Sequence, residues 1–181
     1  MIELTLVTDR AGLEEAWAVR MAVFVEEQKV PVDEEIDAAD THPDVLHLVA
    51  RADGRAVGTG RVLGPGVRGV PPHPDHPHSV ALARATGVDP VPPVVHLGRL
   101  AVVADQRGTG LGAALVAGLE QAAARRWATQ TAGLLVVELS AQEQAVGFYE
   151  RCGYERLAGE SYLDAGIWHC DMARVVRLAT P

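Results

Sequence analysis

Gly108, Gly110 and Gly112 stand at every second position directly after Arg107, and this spacing is the chain's clearest offer of chemistry. Without Cβ atoms, the backbone there can approach a bulky group closely. If a helix begins at the same place, its first N–H groups have no internal partner and mark the positive end of its dipole. Such a place takes phosphate, and Arg107 adds a full positive charge at its mouth. The flanking pattern supplies the elements needed. Residues 94–103 read as an apolar strand, and Leu111, Leu115, Leu119, Ala122 and Ala123 recur at helical spacing behind the turn.

Three phosphate-cradling templates compete for this turn. A nucleotide P-loop needs Lys followed by Ser or Thr, and the chain's one lysine is Lys29. The dinucleotide fingerprint G-x-G-x-x-A is met by residues 108–113, with Glu138 as the acidic residue after the next strand. It lies about 28 residues past Gly110, where ~20 is usual, and the remaining chain does not alternate as further βαβ units would. The third template, R-x-x-G-x-G, is met by Arg107-Gly108-Thr109-Gly110-Leu111-Gly112.

At this motif the chain resembles the GNAT superfamily of acyl-CoA-dependent N-acetyltransferases. Residues 145–154 (AVGFYERCGY) look like that superfamily's A-x-x-x-Y-x-x-x-G-[FY] helix end. The opening R-x-x-V-F-V-x-E-Q, met by residues 20–28 and followed by an acidic loop and His42, is similar to the ElaA/YjcF-like bacterial branch, as are residues 162–169. The resemblance implies that Arg107, Gly108, Thr109, Gly110, Leu111 and Gly112 hold the coenzyme A pyrophosphate. It implies that the strand edge at Leu100, Ala101 and Val102 separates from its neighbour and pairs with the pantetheine arm, one N–H stabilising the oxyanion. Tyr149 then protonates the leaving thiolate, and Gln142 takes the place of an asparagine that contacts pantetheine. Glu27 is the favoured general base, with His96 and His169 as the other candidates.

Bulk properties narrow the classes. The chain has 181 residues, 48% of them hydrophobic, which suits one domain with a real core. A net charge of −8 argues against a nucleic-acid or anionic-membrane surface. Cys152 and Cys170 form no framework, so a reduced, cytoplasmic setting is expected. The N-terminus reads as neither a signal peptide nor a span, and no later run reaches 18 uncharged apolar residues.

In chain order, residues 2–7 alternate as a first strand and residues 11–24 as a first helix. Residues 26–44 hold eight acidic side chains, either a solvated loop or a rim that draws an amine to the cleft. Val45–Ala52 and Arg55–Leu63 read as a hairpin turning at Asp53-Gly54. Residues 64–93 carry eight of the eleven prolines and form a long excursion, with a helical turn near residues 79–85. Its His73, His76 and His78 lack the companions of a known metal site, so no metal is expected. A short parallel strand (134–139), a helix (141–152) and two closing strands (154–157 and 167–176) complete the reading.

The expectation is an α/β (α+β) GNAT-like fold, a mixed twisted sheet of about six or seven strands flanked by helices, in a single domain over residues 1–181 with a Pro/His-rich insertion at about 64–93. Its function would be transfer of an acetyl or short acyl group from acetyl-CoA to a primary amine by direct attack. Expected partners are a small-molecule amine substrate, no nucleic acid and no membrane, with a homodimer left open. A non-catalytic acyl-CoA-binding module and a Rossmann dinucleotide-binding protein stand as alternatives.

Overall fold

The computed structural model describes residues 1–68 and 74–179. The short β1 (Ile2–Leu6) leads into α1 (Arg10–Arg20), whose N-cap Asp9 accepts the Gly12 N–H at 2.8 Å. The predicted first helix continues past Arg20 as a π-helical stretch, Met21–Glu27, and a short α2 (Val32–Glu35) follows. The hairpin of β2 (Val45–Ala52) and β3 (Arg55–Leu63) keeps its predicted boundaries, with Asp53 and Gly54 both at positive φ. Then come α3 (Pro77–Ala85), β4 (Val94–Val102), α4 (Leu111–Trp127) and β5 (Leu134–Gln142). The chain ends with α5 (Val146–Arg151), β6 (Glu155–Arg156), β7 (Tyr162–Asp164) and β8 (Ile167–Arg177).

The eight strands among the described residues join one sheet, ordered β1-β2-β3-β4-β5-β8-β6, with β7 also paired to β8. The expected closing strand at 154–157 is present as β6, and the one strand beyond the predicted six or seven is β7, too short to carry a periodicity of its own and held by the long β8. The only parallel pair among the described residues is β4 with β5. A doubly wound dinucleotide sheet is mostly parallel, so that alternative falls.

Alternation in β4 and β5 serves two layers. Val95, Leu97, Leu135 and Val137 join the main core under α4, while Val94 and Val136 face α3. Val19 and Val23 of the first helix pack on Ala101 in a separate cluster. The helix α4 lies tight on the sheet because β3 presents glycines there. A Cβ on Gly60 would stand 2.6 Å from Leu119 Cδ1, and one on Gly58 would stand 2.9 Å from Leu115 Cδ1. Among the described residues, no helix is long and apolar enough to cross a membrane.

Candidate active site

The β4 and β5 strands pair at only three positions, Val94↔Val136, Val95↔Val137 and His96↔Glu138. Beyond them β4 stays with β3 as far as Val102, and β5 stays with β8 as far as Gln142. The sheet therefore forks. Part of the cause lies in β4, where three steps from Gly98 to Ala101 oppose two from Arg61 to Thr59, a bulge that bends and twists the strand. Arg99 sits in the bulge at φ 51°. The fork opens a cleft of about 1020 Å³, lined along one side by residues 97–102 and on the other by Leu139, Ser140 and Gln142.

The glycine turn lies at the mouth of the fork. Gly108 and Gly110 are left-handed at φ 76° and 87°, and a Cβ on either would meet nothing within 4 Å, so both border open space. Gly110 caps α4, and the N–H groups that follow it lack intrahelical partners. Gly112 contributes through packing instead, because a Cβ on it would lie 3.3 Å from the Phe148 ring. The Thr109 hydroxyl turns back to donate to the Gln106 carbonyl at 2.8 Å.

Arg107 and Glu27, expected in separate roles, bind each other. The guanidinium donates to both Glu27 carboxylate oxygens at 2.6 and 2.7 Å and, through Nε, to the Val102 carbonyl at 2.9 Å. The hydrogen bonds from Arg107 hold the Glu27 carboxyl below the usual range, which makes it a weak proton acceptor. The neighbouring Gln28 accepts from Gln142 Nε2 at 2.8 Å, so the end of the π-helical stretch touches both rims of the fork. Gln142 is the last residue of β5; the helix predicted over 141–152 starts only at Val146, after a 3-10 turn at Glu143–Ala145.

Tyr149 lines the cleft and is edge-on to Phe148 and Tyr154, with ring centroids 4.9 and 5.8 Å apart. Burial, and secondarily Cys152, push its phenol far above the ordinary value. No hydrogen bond holds its hydroxyl among the described residues.

The excursion's contribution begins at Pro74; the predicted His73 lies outside the described residues. Asp75 accepts from His96 Nε2 at 2.9 Å, and Arg68 stands 3.3 Å from the same carboxylate. On the other side of the imidazole, Nδ1 is 3.8 Å from Glu138, whose carboxylate accepts the His76 backbone N–H at 3.0 Å. His76 also caps α3, accepting the His78 N–H at 3.2 Å. Among the described residues, no three His, Cys, Asp or Glu side chains gather as a metal site. His169 also reaches the cleft, its Nδ1 donating to the Ile167 carbonyl at 2.8 Å.

The acidic segment 26–44 is neither uniformly solvated nor a free rim. Glu35, Asp37 and Asp40 are buried against Arg20, Arg61 and Arg99. Arg20 donates to Glu35 at 2.5 Å and Asp40 at 2.8 Å; Arg61 donates to Asp37 at 2.8 Å and Asp40 at 2.7 Å. Three positive charges face three negative ones, so this part of the segment projects little field. The sequence reading missed the arginine network, although an arginine inside an apolar strand, as at Arg99, is itself a signal, because a charge is costly to bury unless paired.

Comparison with known proteins agrees with this geometry. A family model described as an acetyltransferase (GNAT) domain matches residues 79–176. The uncharacterized N-acetyltransferase YjcF of Bacillus subtilis (strain 168) is 33% identical over 162 residues, which cover 90% of this chain and 91% of YjcF. The crystal structure of an acyl-CoA N-acyltransferase from Pseudomonas aeruginosa aligns with a TM-score of 0.70 at 30% identity, covering 96% of this chain and 99% of that one. Escherichia coli ElaA aligns at 0.69 and 25% identity, covering 96% and 99%. With a forked sheet, a glycine turn at the mouth of the fork and relatives along nearly its whole length, this chain belongs to the GNAT superfamily of acyl-CoA-dependent N-acetyltransferases.

Proposed function

We propose that the acyl group is acetyl, carried by acetyl-CoA, and that it passes to the primary amine of a small molecule by direct attack in a single domain. The observation that carries this is the fork between β4 and β5, with the glycine turn at its mouth. The pyrophosphate would sit on the helix start and turn, at Gly108, Thr109, Gly110, Leu111 and Gly112. Arg107 would swing from Glu27 to meet it. The pantetheine arm would extend along Leu100, Ala101 and Val102, taking hydrogen bonds that β5 leaves unused, with Gln142 at its other flank. The amine nitrogen attacks the thioester carbon, a C–N bond forms and the C–S bond breaks. A backbone N–H of the β4 edge would meet the oxygen while it is negative. Tyr149 stays protonated at neutral pH, and its hydroxyl donates to the departing sulfur. Because its proton is held more tightly than a thiol's, a strong hydrogen bond contributes more than full transfer.

The attacking ammonium must first lose a proton. Glu27, held ionised by Arg107, suits a rim latch better than a base. His96 suits the base. Asp75 can only accept, so Nε2 carries a proton, and Nδ1, with Glu138 beyond hydrogen-bond distance at 3.8 Å, would keep the lone pair that takes the ammonium proton. Two free cysteines, Cys152 and Cys170, fit a cytoplasmic setting. The test is release of CoA thiol with a panel of amines, wild type against His96→Gln and Asp75→Asn. Asp75→Asn should lower kcat by freeing the His96 tautomer, and His96→Gln should lower kcat about 10²-fold. An unchanged kcat in His96→Gln returns the base assignment to Glu27 or His169.

A further inference from the structure

We propose, resting on the acyl-transfer reading above, that the acceptor is a free amino acid whose carboxylate is held by Arg99 while its amine faces His96 and Asp75. Arg99 differs from the other two arginines of the network. Arg20 and Arg61 grip their carboxylates at 2.5 to 3.0 Å. Arg99 comes no closer than 3.4 Å to Glu35 and 3.7 Å to Asp37. Its hydrogen bond goes to a carbonyl, Glu34 O, at 2.8 Å; its Nε, like that of Arg61, is buried with no hydrogen-bond partner among the described residues, but Arg61 has its other nitrogens on carboxylates and Arg99 does not. The side chain is 25% exposed and lines the cleft, so this poorly compensated guanidinium borders the space where substrate enters. Burial outweighs the neighbouring carboxylates and pulls its pKa below the usual arginine value.

Its backbone points the same way. The positive φ of Arg99 belongs to the β4 bulge, and a bulge of this kind re-aims a side chain. Arg99 immediately precedes Leu100, the first residue of the edge assigned to pantetheine, and both line the cleft, so an anion on Arg99 shares that cleft with the thioester. The attacking amine must reach the thioester while the carboxylate stays on Arg99, so one small acceptor carries both groups within the cleft. Three positions back along β4, within about 10 Å, His96, Asp75 and Glu138 provide negative charge and a proton acceptor. A cleft with one cationic and one anionic wall fits a zwitterion. It does not fit a polyamine or an aminoglycoside, which would meet Arg99 with like charge.

The experiment uses the intact wild-type protein. Each natural amino acid is assayed for acetyl-CoA thiol release beside its decarboxylated amine and its methyl ester, and acetyl-CoA binding is measured separately by calorimetry. At least one amino acid should exceed its amine and ester by about 10-fold or more in kcat/KM. Arg99→Lys, which keeps the charge beside Glu35 but loses the planar fork, should raise KM for that amino acid by roughly 10- to 100-fold and collapse its advantage over the amine. Amines or esters turned over as well as the acids would overturn the inference and leave acyl transfer standing. So would acetyl-CoA binding without turnover of any amino acid. No acetyl-CoA binding would instead remove the acyl-transfer reading, and this inference with it.

Discussion

Replacing Gly110 by Asn and, in parallel, by Asp isolates the electrostatic part of the phosphate binding proposed for this turn. Gly110 sits at φ 87° at the N-terminus of α4, and a side chain there would meet no protein atom within 4 Å of its Cβ. The stability cost is therefore conformational, about 1 kcal/mol for either residue, both of which tolerate the left-handed region better than most. The two side chains have nearly the same shape and differ by one charge. An aspartate carboxylate would lie about 5 Å from bound phosphate, and each such charge pair is worth about 1–3 kcal/mol at effective dielectric constants between those of water and a protein surface. Against a pyrophosphate, Gly110→Asp should thus bind acetyl-CoA roughly 10²-fold more weakly than Gly110→Asn. Calorimetric titration of both variants gives this ratio, and thermal unfolding should show nearly equal Tm values. Equal affinities would refute phosphate binding at this turn.

Tyr149→Phe should lower kcat about 10²-fold while acetyl-CoA affinity and Tm stay near wild type, because no protein group depends on the hydroxyl among the described residues; an unchanged kcat in single-turnover assays would remove the tyrosine from the chemistry. Glu27→Gln should tighten acetyl-CoA binding, since Arg107 loses a competing carboxylate, and a fall in kcat at saturating acetyl-CoA with the fold intact would restore Glu27 as the base. Burial alone would raise the pKa of Asp40, but hydrogen bonds and charges from Arg20 and Arg61 outweigh it and bring it to about 2, below the 3.8 of a free side chain. The stability this supplies is complete above about pH 4 and lost as pH falls towards 2. Asp40→Asn should flatten that part of the acid-unfolding curve and cost about 3–5 kcal/mol at pH 7 by breaking a buried pair; a variant with wild-type stability at both pH values would contradict the network.

Local periodicity and turn chemistry fixed much of the fold. The β2–β3 hairpin needed only two apolar runs and Asp53-Gly54, and the apolar spacing of α4 announced both the helix and its buried face. The misses came where tertiary contact overrode local preference. Residues 21–27 hold helical spacing but relax into a π-helical stretch, and the end of β5 remains strand to Gln142 because β8 pairs with it throughout. The segment 162–164 reads as a polar loop until β8 gives it a partner.

The glycine turn, its arginine and the family motifs were legible in the chain alone, because each is a run of neighbouring residues whose conformation depends on local backbone geometry. The pairing of distant charges emerged only on folding. Glu27 and Arg107 are 80 positions apart, Asp75 and His96 are 21 apart, and Arg20, Arg61 and Arg99 draw three acidic residues out of a loop that composition alone presents as solvated. An ion pair depends on distance in space and on the water removed around it, and neither is written in the spacing of residues along the chain.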